Sequence, residues 1–577
     1  MSPKNGVLCL AAAFLVSLGC SSHEAALPHG DSRPCGPRQA AAAQGFTSLL
    51  AVSGSGFLAE NPSNKKRLMY LEGTHYEMGY QQGYMYPEAV RAMVHDYCDE
   101  ILFEMLGLPF GSDRLGPLWS FVRAWLVDLV LASEEAVPTE LRQEMHGIAA
   151  GYSDAVAHGR LEDEEGIAVT YEDVLLLNQG MDAISSLTYN ALGKAGIACN
   201  QFACWGSRTR DGRLFHGRDF QFYTAGVYQD ASLVCVYKPL GEDKNPSGYP
   251  FVTVTAPGFV GLATALNSQG ISMGIDVVHS WASREGRPGL AGLLLIRRVM
   301  EQAGSLEEAV SIVREADRGC PWIYLVADGK EPSAVVLETL QSDAPEPWMQ
   351  QRMEEAEAFA RRLLGTPFVC RYPEKGLMVR EADFVIPEDI RGKSVVLPGY
   401  CNNPKYEGDA TFLNLDFPDT FEDLPDVIAA TNHFLLPEMR PFQWAPLVSL
   451  IWRPYWPSTE WRYRTLVRLL LGRSTVGPSL DWEGAWATID FLDPATTEGS
   501  FFHGPETDQE VGGHVALMDD QALILRALYG HYNDAWVEVS LGDFLDERPR
   551  GKASSGLPPI SGPSALLPRR GPSSPRY

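Results

Sequence analysis

Gly196-Ile-Ala-Cys199-Asn-Gln-Phe-Ala-Cys204-Trp-Gly-Ser-Arg-Thr-Arg-Asp211-Gly212-Arg-Leu-Phe-His-Gly217-Arg218-Asp219-Phe220-Gln221-Phe222 is the stretch on which the fold turns. Two runs, Asn200–Arg208 and Arg213–Phe222, flank Arg210-Asp211-Gly212, a hairpin signal because Asp-Gly accepts the positive φ of a tight turn. The texture of the chain changes at this point. Upstream, Glu88–Leu106, Leu118–Ala132, Thr139–His158 and Glu172–Ser185 carry apolar residues at helical spacing. Downstream, short apolar runs are separated by Gly, Pro and Asp-Gly turns.

The downstream pattern predicts strands at Pro250–Ala256, Gly261–Asn267, Ile271–Val277, Trp322–Ala327, Ala334–Glu338, Gly512–Met518, Ala522–Ala527 and Ala535–Ser540. Helices are expected at Leu290–Ala303 and Ser305–Glu315, the second opened by a capping box of Ser305 and Glu308. Antiparallel hairpins with separate helix pairs make this an α/β mixture rather than a βαβ repeat. The chain contains no nucleotide-binding glycine loop, no H-E-x-x-H and no G-x-S-x-G.

With 577 residues, 45% of them apolar and 10% aromatic, the chain has enough material for a full core. A formal charge of -26 argues against nucleic acid as a partner, because phosphates need a basic surface. The apolar stretch Gly116–Ala132 is interrupted by Arg123 and Asp128 and reads as a buried helix, not a membrane span. Lys4, the apolar run Val7–Leu18 and Gly19-Cys20-Ser21-Ser22 have the layout of a secretory signal. A small residue before a cysteine resembles a bacterial lipobox, so lipidation of Cys20 and a membrane anchor at the cell envelope are expected, with free secretion as the alternative. Ser17 stands where leucine is usual.

This divides the chain into a signal at 1–20, a flexible tether at 21–44, a helical region at 45–198, a strand-rich region at 199–545 and a disordered tail at 546–577. The ten cysteines show no metal-ligand spacing, and neither a metal nor another cofactor is expected. Pairing of Cys320 with Cys370 or Cys401 is open in an exported protein.

The segment opening at Cys199 resembles the start of the catalytic chain in the choloylglycine-hydrolase and isopenicillin-N-acyltransferase-like proteins, which are autoproteolytic N-terminal-nucleophile hydrolases. Other segments follow in the same order. Gly73-Thr-His-Tyr-Glu-Met-Gly79-Tyr-Gln-Gln-Gly83 resembles the family's propeptide signature, and Asn267–Asp276 its Asn-x-x-Gly strand pair. Thr431-Asn432-His433 and Ser458…Arg462-Tyr463 resemble its later active-site strands. The resemblance implies an α+β fold, a four-layer αββα sandwich preceded by a mostly helical propeptide region.

It also implies a chemistry. Self-cleavage at Ala198–Cys199 would free the α-amine of Cys199, which has a pKa of roughly 8 and can act as base for its own thiol. The propeptide would stay bound as a second chain. Arg218 would be the cation beside the nucleophile, Asn432 the oxyanion donor and Arg462 the second arginine of the site. The substrate would be an acylated small molecule or a lipid, with a C–N amide bond as the point of attack. The propeptide helices and Gln341–Pro367 are candidates for shaping the acyl pocket.

Two positions depart from the family. Gln221 stands where the family has Asp, with Asp219 one residue after Arg218, and Asp276 stands where Asn is usual. Asp276 is therefore a candidate for the missing carboxylate. Strand parity leaves a choice: a two-residue loop at Asp211-Gly212 puts Arg218 on the face of Cys199, and a three-residue loop puts Asp219 and Gln221 there. Cys204 is a rival nucleophile, although odd spacing points it away from Cys199. His216 and His433 read as satisfied polar residues, and Gly73, Gly79 and Gly83 as packing or turn glycines. A phospholipase-B-like lipid hydrolase and a retired enzyme that binds a ligand at the envelope are the other readings.

Overall fold

The computed structural model describes residues 36–545 apart from 106–115, 162–165, 189–198, 223, 365–368, 383–396, 399–410, 413–425, 437, 444–458, 460–461, 464–465, 467–468, 471–479, 491–512 and 531–534. Cys20, Ala198, Cys401 and the tail lie outside the described residues.

The N-terminal part differs from its expected texture. The segment read as tether ends in helix α1 (Pro37–Ala43), whose Ala40 and Ala41 are buried. The region read as helical opens with three strands, β1 (Ser48–Ser53), β2 (Gly56–Glu60) and β3 (Arg67–Gly73). Its helices follow: α2 (His75–Met85), α3 (Pro87–Ala92), a π-helical turn Met93–Tyr97, α4 (Cys98–Met105), α5 (Pro117–Leu131), α6 (Thr139–Ala157) and α7 (Tyr171–Thr188). Helix α2 begins with a capping box of Thr74 and Glu77. It crosses α6 backbone to backbone, since a Cβ on Gly79 would sit 1.9 Å from the Glu144 carbonyl oxygen. Gly79 is thus a packing glycine.

From Cys199 onward come β4 (Asn200–Cys204), β5 (Phe215–Phe220), α8 (Val227–Ala231), β6 (Leu233–Pro239), β7 (Phe251–Thr255), β8 (Thr264–Asn267) and β9 (Ile271–Val277). Helices α9 (Gly292–Gln302) and α10 (Leu306–Glu315) precede β10 (Trp322–Asp328), β11 (Ser333–Thr339), α11 (Pro347–Leu364) and β12 (Leu377–Arg380). Ser305 caps α10 as expected, accepting from the Glu308 amide, but the Glu308 carboxylate accepts from the Gly304 amide instead of closing the box at Ser305. A short pair, β13 (Leu397–Pro398) and β14 (Thr411–Phe412), is followed by β15 (Val427–Ala430), α12 (Trp482–Asp490), β16 (His514–Asp519), β17 (Ile524–Tyr529) and β18 (Val537–Ser540).

Two large sheets result. One has ten strands in the order β1-β2-β3-β6-β7-β8-β9-β10-β11-β12, and the other six in the order β15-β4-β5-β16-β17-β18. Neighbours are antiparallel except β3 with β6, which run parallel. One apolar cluster packs α2, α7 and α9 on the ten-stranded sheet. Two more lie between the sheets: one joins Val254 and Leu266 to Ala516 and Met518, the other joins Ile323 and Leu325 to Ala203 and Ile428. A fourth packs Leu466, Leu470, Ala485 and Ile489 on the outer face of the six-stranded sheet. The layers are therefore helix, sheet, sheet, helix, an α+β sandwich of the expected kind.

The cysteines with described positions, Cys98, Cys199, Cys204, Cys235, Cys320 and Cys370, are free and buried, so no Cys320–Cys370 bridge forms. Among the described residues no helix is long and apolar enough to cross a membrane.

Candidate active site

Cys199 immediately precedes β4, at the edge of the gap between the two sheets. The β4–β5 pairing sets Gln201 opposite Arg218 and Asn200 opposite Asp219. Arg218 therefore shares the strand face of Gln201 and Cys199, the parity expected of the two-residue loop. The connection itself is longer, because the ladder stops at Cys204 and Phe215 and a 3₁₀ turn occupies Gly206–Arg208. Cys204 points to the opposite face, among the residues that pack on α12.

Arg218 is fully buried and held from several sides. Its Nη1 donates to Asp276 Oδ1 at 3.0 Å, to the Asp219 carbonyl at 2.7 Å and to the Asn200 carbonyl at 3.3 Å. Its Nη2 donates to the carbonyl of Ile275. Gln201 Nε2 donates to the other oxygen of Asp276 at 2.8 Å. A carboxylate on β9 thus faces Arg218 across the sheets. Gly274 permits this, since a Cβ there would lie 2.4 Å from Gln201 Oε1 and 2.9 Å from Arg218 Cδ.

Asn432 follows β15, whose register with β4 sets Ala430 opposite Gln201, so two further residues bring Asn432 level with Cys199. Arg462 Nη2 donates to Asn432 Oδ1 at 2.9 Å, and Asn432 Nδ2 donates to the Val277 carbonyl at 2.8 Å. Arg462 Nη1 also donates to the Cys199 carbonyl at 2.6 Å and to Asn200 Oδ1 at 2.7 Å. Arg462 sits in helical structure, not on the strand expected for it. Its long side chain reaches Cys199 from there.

Asp219 is not beside the thiol. It accepts from Asn200 Nδ2 at 2.7 Å and from Gln221 Nε2, extending the chain that runs from Arg462 through Asn200. Asn200 and Gln201 carry no motif of their own in the sequence. Their signal is positional: as the first two residues of β4 they face opposite ways, one toward each arginine.

Burial pushes the Cys199 thiol above its ordinary pKa, Arg218 pulls it back, and Asp276 adds to the rise. The thiol bonds the Gln221 carbonyl at 3.7 Å. A protonated thiol needs a base to become a nucleophile. His216 does not serve. Burial, with Arg218 nearby, lowers it to about 3, and its Nδ1 bonds Ser272 Oγ at 2.8 Å. His433 bonds Thr431 and Thr459. Among the described residues no group of three or more His, Cys, Asp or Glu is placed to hold a metal ion.

Cys199 also borders a partly open apolar cavity lined by Phe220, Phe222, Tyr228, Val254, Phe259, Ile275, Val277, Leu293 and Trp322, together with Tyr97 and Met181 from upstream of Cys199. The described residues of the segment 341–367, a candidate wall from sequence, contribute nothing to this lining.

A buried thiol thus stands beside an arginine–carboxylate pair and borders an apolar cavity, on a helix–sheet–sheet–helix sandwich of the α+β class. The family model described as acyl-coenzyme A:6-aminopenicillanic acid acyl-transferase matches residues 210–357. An uncharacterized protein of Archaeoglobus fulgidus is 32% identical over 496 residues, 84% of this chain and 67% of its own. The chain belongs to the acyl-coenzyme A:6-aminopenicillanic acid acyl-transferase family.

Solved structures with some likeness include a Caenorhabditis elegans ortholog of N-acylethanolamine-hydrolyzing acid amidase, at 11% identity, 56% of this chain, 93% of that chain and a TM-score of 0.29. The conjugated bile acid hydrolase of Clostridium perfringens, in a mutant form, covers 59% of this chain and 92% of its own at 11% identity and a TM-score of 0.30. Penicillin V acylase of Agrobacterium tumefaciens covers 60% and 88% at 10% identity and a TM-score of 0.29.

Proposed function

We propose that the protein cuts itself between Ala198 and Cys199 and then cleaves a C–N amide bond of an acylated small molecule through an acyl-Cys199 intermediate. The observation that carries this is the position of Cys199, with polar groups that suit a tetrahedral intermediate on one side and an apolar cavity on the other. The α-amine takes the thiol proton as sulfur attacks the carbonyl carbon. Asn432 donates to the oxyanion, for which Arg462 orients its amide. The C–N bond then breaks, and the leaving amine takes the proton from the α-ammonium. Water or a second amine then attacks the thioester carbon, giving its proton to the α-amine. The C–S bond breaks, the acyl group leaves as acid or new amide, and the proton passes from the α-ammonium to the Cys199 thiolate. Water makes the enzyme an amidohydrolase, and an amine makes it an acyltransferase.

Intact mass of the wild type and of Cys199→Ala, with sequencing of any new N-terminus, tests the reading. A chain beginning at Cys199 in the wild type alone supports it. A folded, uncut chain in both would point to a ligand-binding protein that has lost the chemistry. A lipid on Cys20 belongs to the same proposal, and Cys20→Ala would then move the protein from the membrane fraction to the soluble one.

A further inference from the structure

The cavity beside Cys199 is built from both sides of the proposed cut. Tyr97, from the π-helical turn, and Met181, from α7, come from upstream; the other lining residues come from Cys199 onward. Tyr97 meets Tyr228 and Phe259 with ring centroids 6.0 Å away in each case, so three aromatic rings cluster in the lining. Helix α7 does more than supply Met181. Asn178 donates to the Gly258 carbonyl at 2.9 Å and accepts from the amides of Val260 and Gly261 at 2.8 and 3.0 Å, which fixes the loop carrying Phe259. Asp182, next to Met181, accepts from Trp322 Nε1 at 2.8 Å and from the Gly292 amide at 3.2 Å, fixing the Trp322 wall.

Among the described residues, no Asp, Glu, Lys, Arg or His lines this cavity. A charged acyl group would lose its hydration there without a partner, whereas an aliphatic or aromatic one gains from burial. We infer that Tyr97 and Met181 are specificity-determining residues of an acyl pocket for uncharged, hydrophobic acyl groups, so that the segment upstream of the cut sets which acyl chain the downstream nucleophile accepts. This rests on the reading of Cys199 as the acylated nucleophile. Met181 is a length stop because its unbranched thioether fills space without anchoring polar groups. Tyr97 is the upstream member of the aromatic cluster.

The test uses p-nitrophenyl esters of acetate, hexanoate, decanoate, hexadecanoate, phenylacetate and glutarate with the full processed protein. The Cys199 sulfur bonds to the ester carbonyl carbon as the carbon–oxygen bond breaks, and nitrophenolate leaves with the electron pair. Intact mass reads the acyl group on Cys199, and the nitrophenolate burst reads the rate. The neutral esters are expected to acylate Cys199, with glutarate slower than hexanoate by at least about 100-fold, the cost of burying an unpaired carboxylate. Met181→Trp should move the preferred chain shorter, changing the decanoate-to-acetate ratio about tenfold, in the range a pocket methylene supplies. Tyr97→Ala should raise the rate with hexadecanoate. If Met181→Trp does not self-process, Met181→Phe carries the same comparison. Acylated Cys199 with one chain-length profile in all variants, or glutarate equal to hexanoate, overturns the inference and leaves the proposed chemistry standing. A folded protein neither cut before Cys199 nor acylated by any ester overturns both.

Discussion

Arg462 Nη1 lies 2.6 Å from the carbonyl oxygen of Cys199, while its Nη2 holds the side-chain oxygen of Asn432 at 2.9 Å. One planar guanidinium thus sets both the backbone of the proposed nucleophile and the orientation of the proposed oxyanion donor. The fork geometry carries this, because a lysine ammonium is a single point charge. In Arg462→Lys, turnover of an acyl amide should fall about 100-fold, the scale of a misplacement near 1 Å. Near-wild-type turnover in a normally processed variant would remove Arg462 from this role.

Asn432→Ala isolates the donor. Loss of one oxyanion donor costs about 10²–10³ in kcat and leaves KM largely unmoved. Steady-state kinetics on one amide substrate separates the two parameters. A change confined to KM would reassign Asn432 to substrate binding.

Asp276 and Arg218 form a fully buried pair. Asp276→Asn keeps the shape and leaves Arg218 charged without its carboxylate, at a cost of about 3–5 kcal/mol. Urea titration should show that loss, and Asp276→Asn with Arg218→Met should recover part of it. The same single variant tests the site, because unchanged processing and turnover would show that Asp276 does not replace the carboxylate absent at Gln221.

The segments on either side of the proposed cut also meet through buried charges. Arg297 on α9 bonds Glu144 on α6 at 2.7 Å, and Glu301 bonds Arg297 at 2.7 Å and His75 on α2 at 3.1 Å. Burial alone would lower His75, but the hydrogen bond and charge of Glu301 raise it. Burial would raise Glu301, but Arg297 and then His75 hold it at about 2. The Glu301 contribution is complete above the ordinary glutamate pKa of about 4.3 and is lost as pH falls toward its folded value. The His75 contribution is complete below about 6.5 and is lost as pH rises through the raised value. Thermal unfolding from about pH 3 to 9 should therefore show the wild type declining on the alkaline side more than His75→Gln. Parallel curves would show that His75 does not titrate in this network.

Much of the fold and site is legible in the residues. Ile271–Val277 is the predicted strand to the residue, and Cys199, Arg218, Asn432 and Arg462 come together from widely spaced segments as the motif order implies. What escapes a sequence reading depends on long-range pairing. Strands β1 to β3 have weak alternation, and they enter the large sheet only because β3 pairs with β6, far along the chain. The β4–β5 turn reads two ways because parity depends on where the ladder stops, which the 3₁₀ turn at Gly206–Arg208 decides. Gln201 carries no signal of its own, because its role depends on Asp276, which lies on the facing sheet.

The parallel pairing of β3 with β6 runs from Leu68 opposite Val234 to Gly73 opposite Pro239, and it joins material from both sides of the proposed cut. If the segment from Cys199 onward were made alone, β6 would present a bare row of amides and carbonyls in mid-sheet, the kind of edge that recruits other chains. The upstream segment therefore acts as an obligatory seam. Dissolving it is unfolding rather than subunit exchange, and the nucleophile should be produced in soluble form only when both segments are synthesised together.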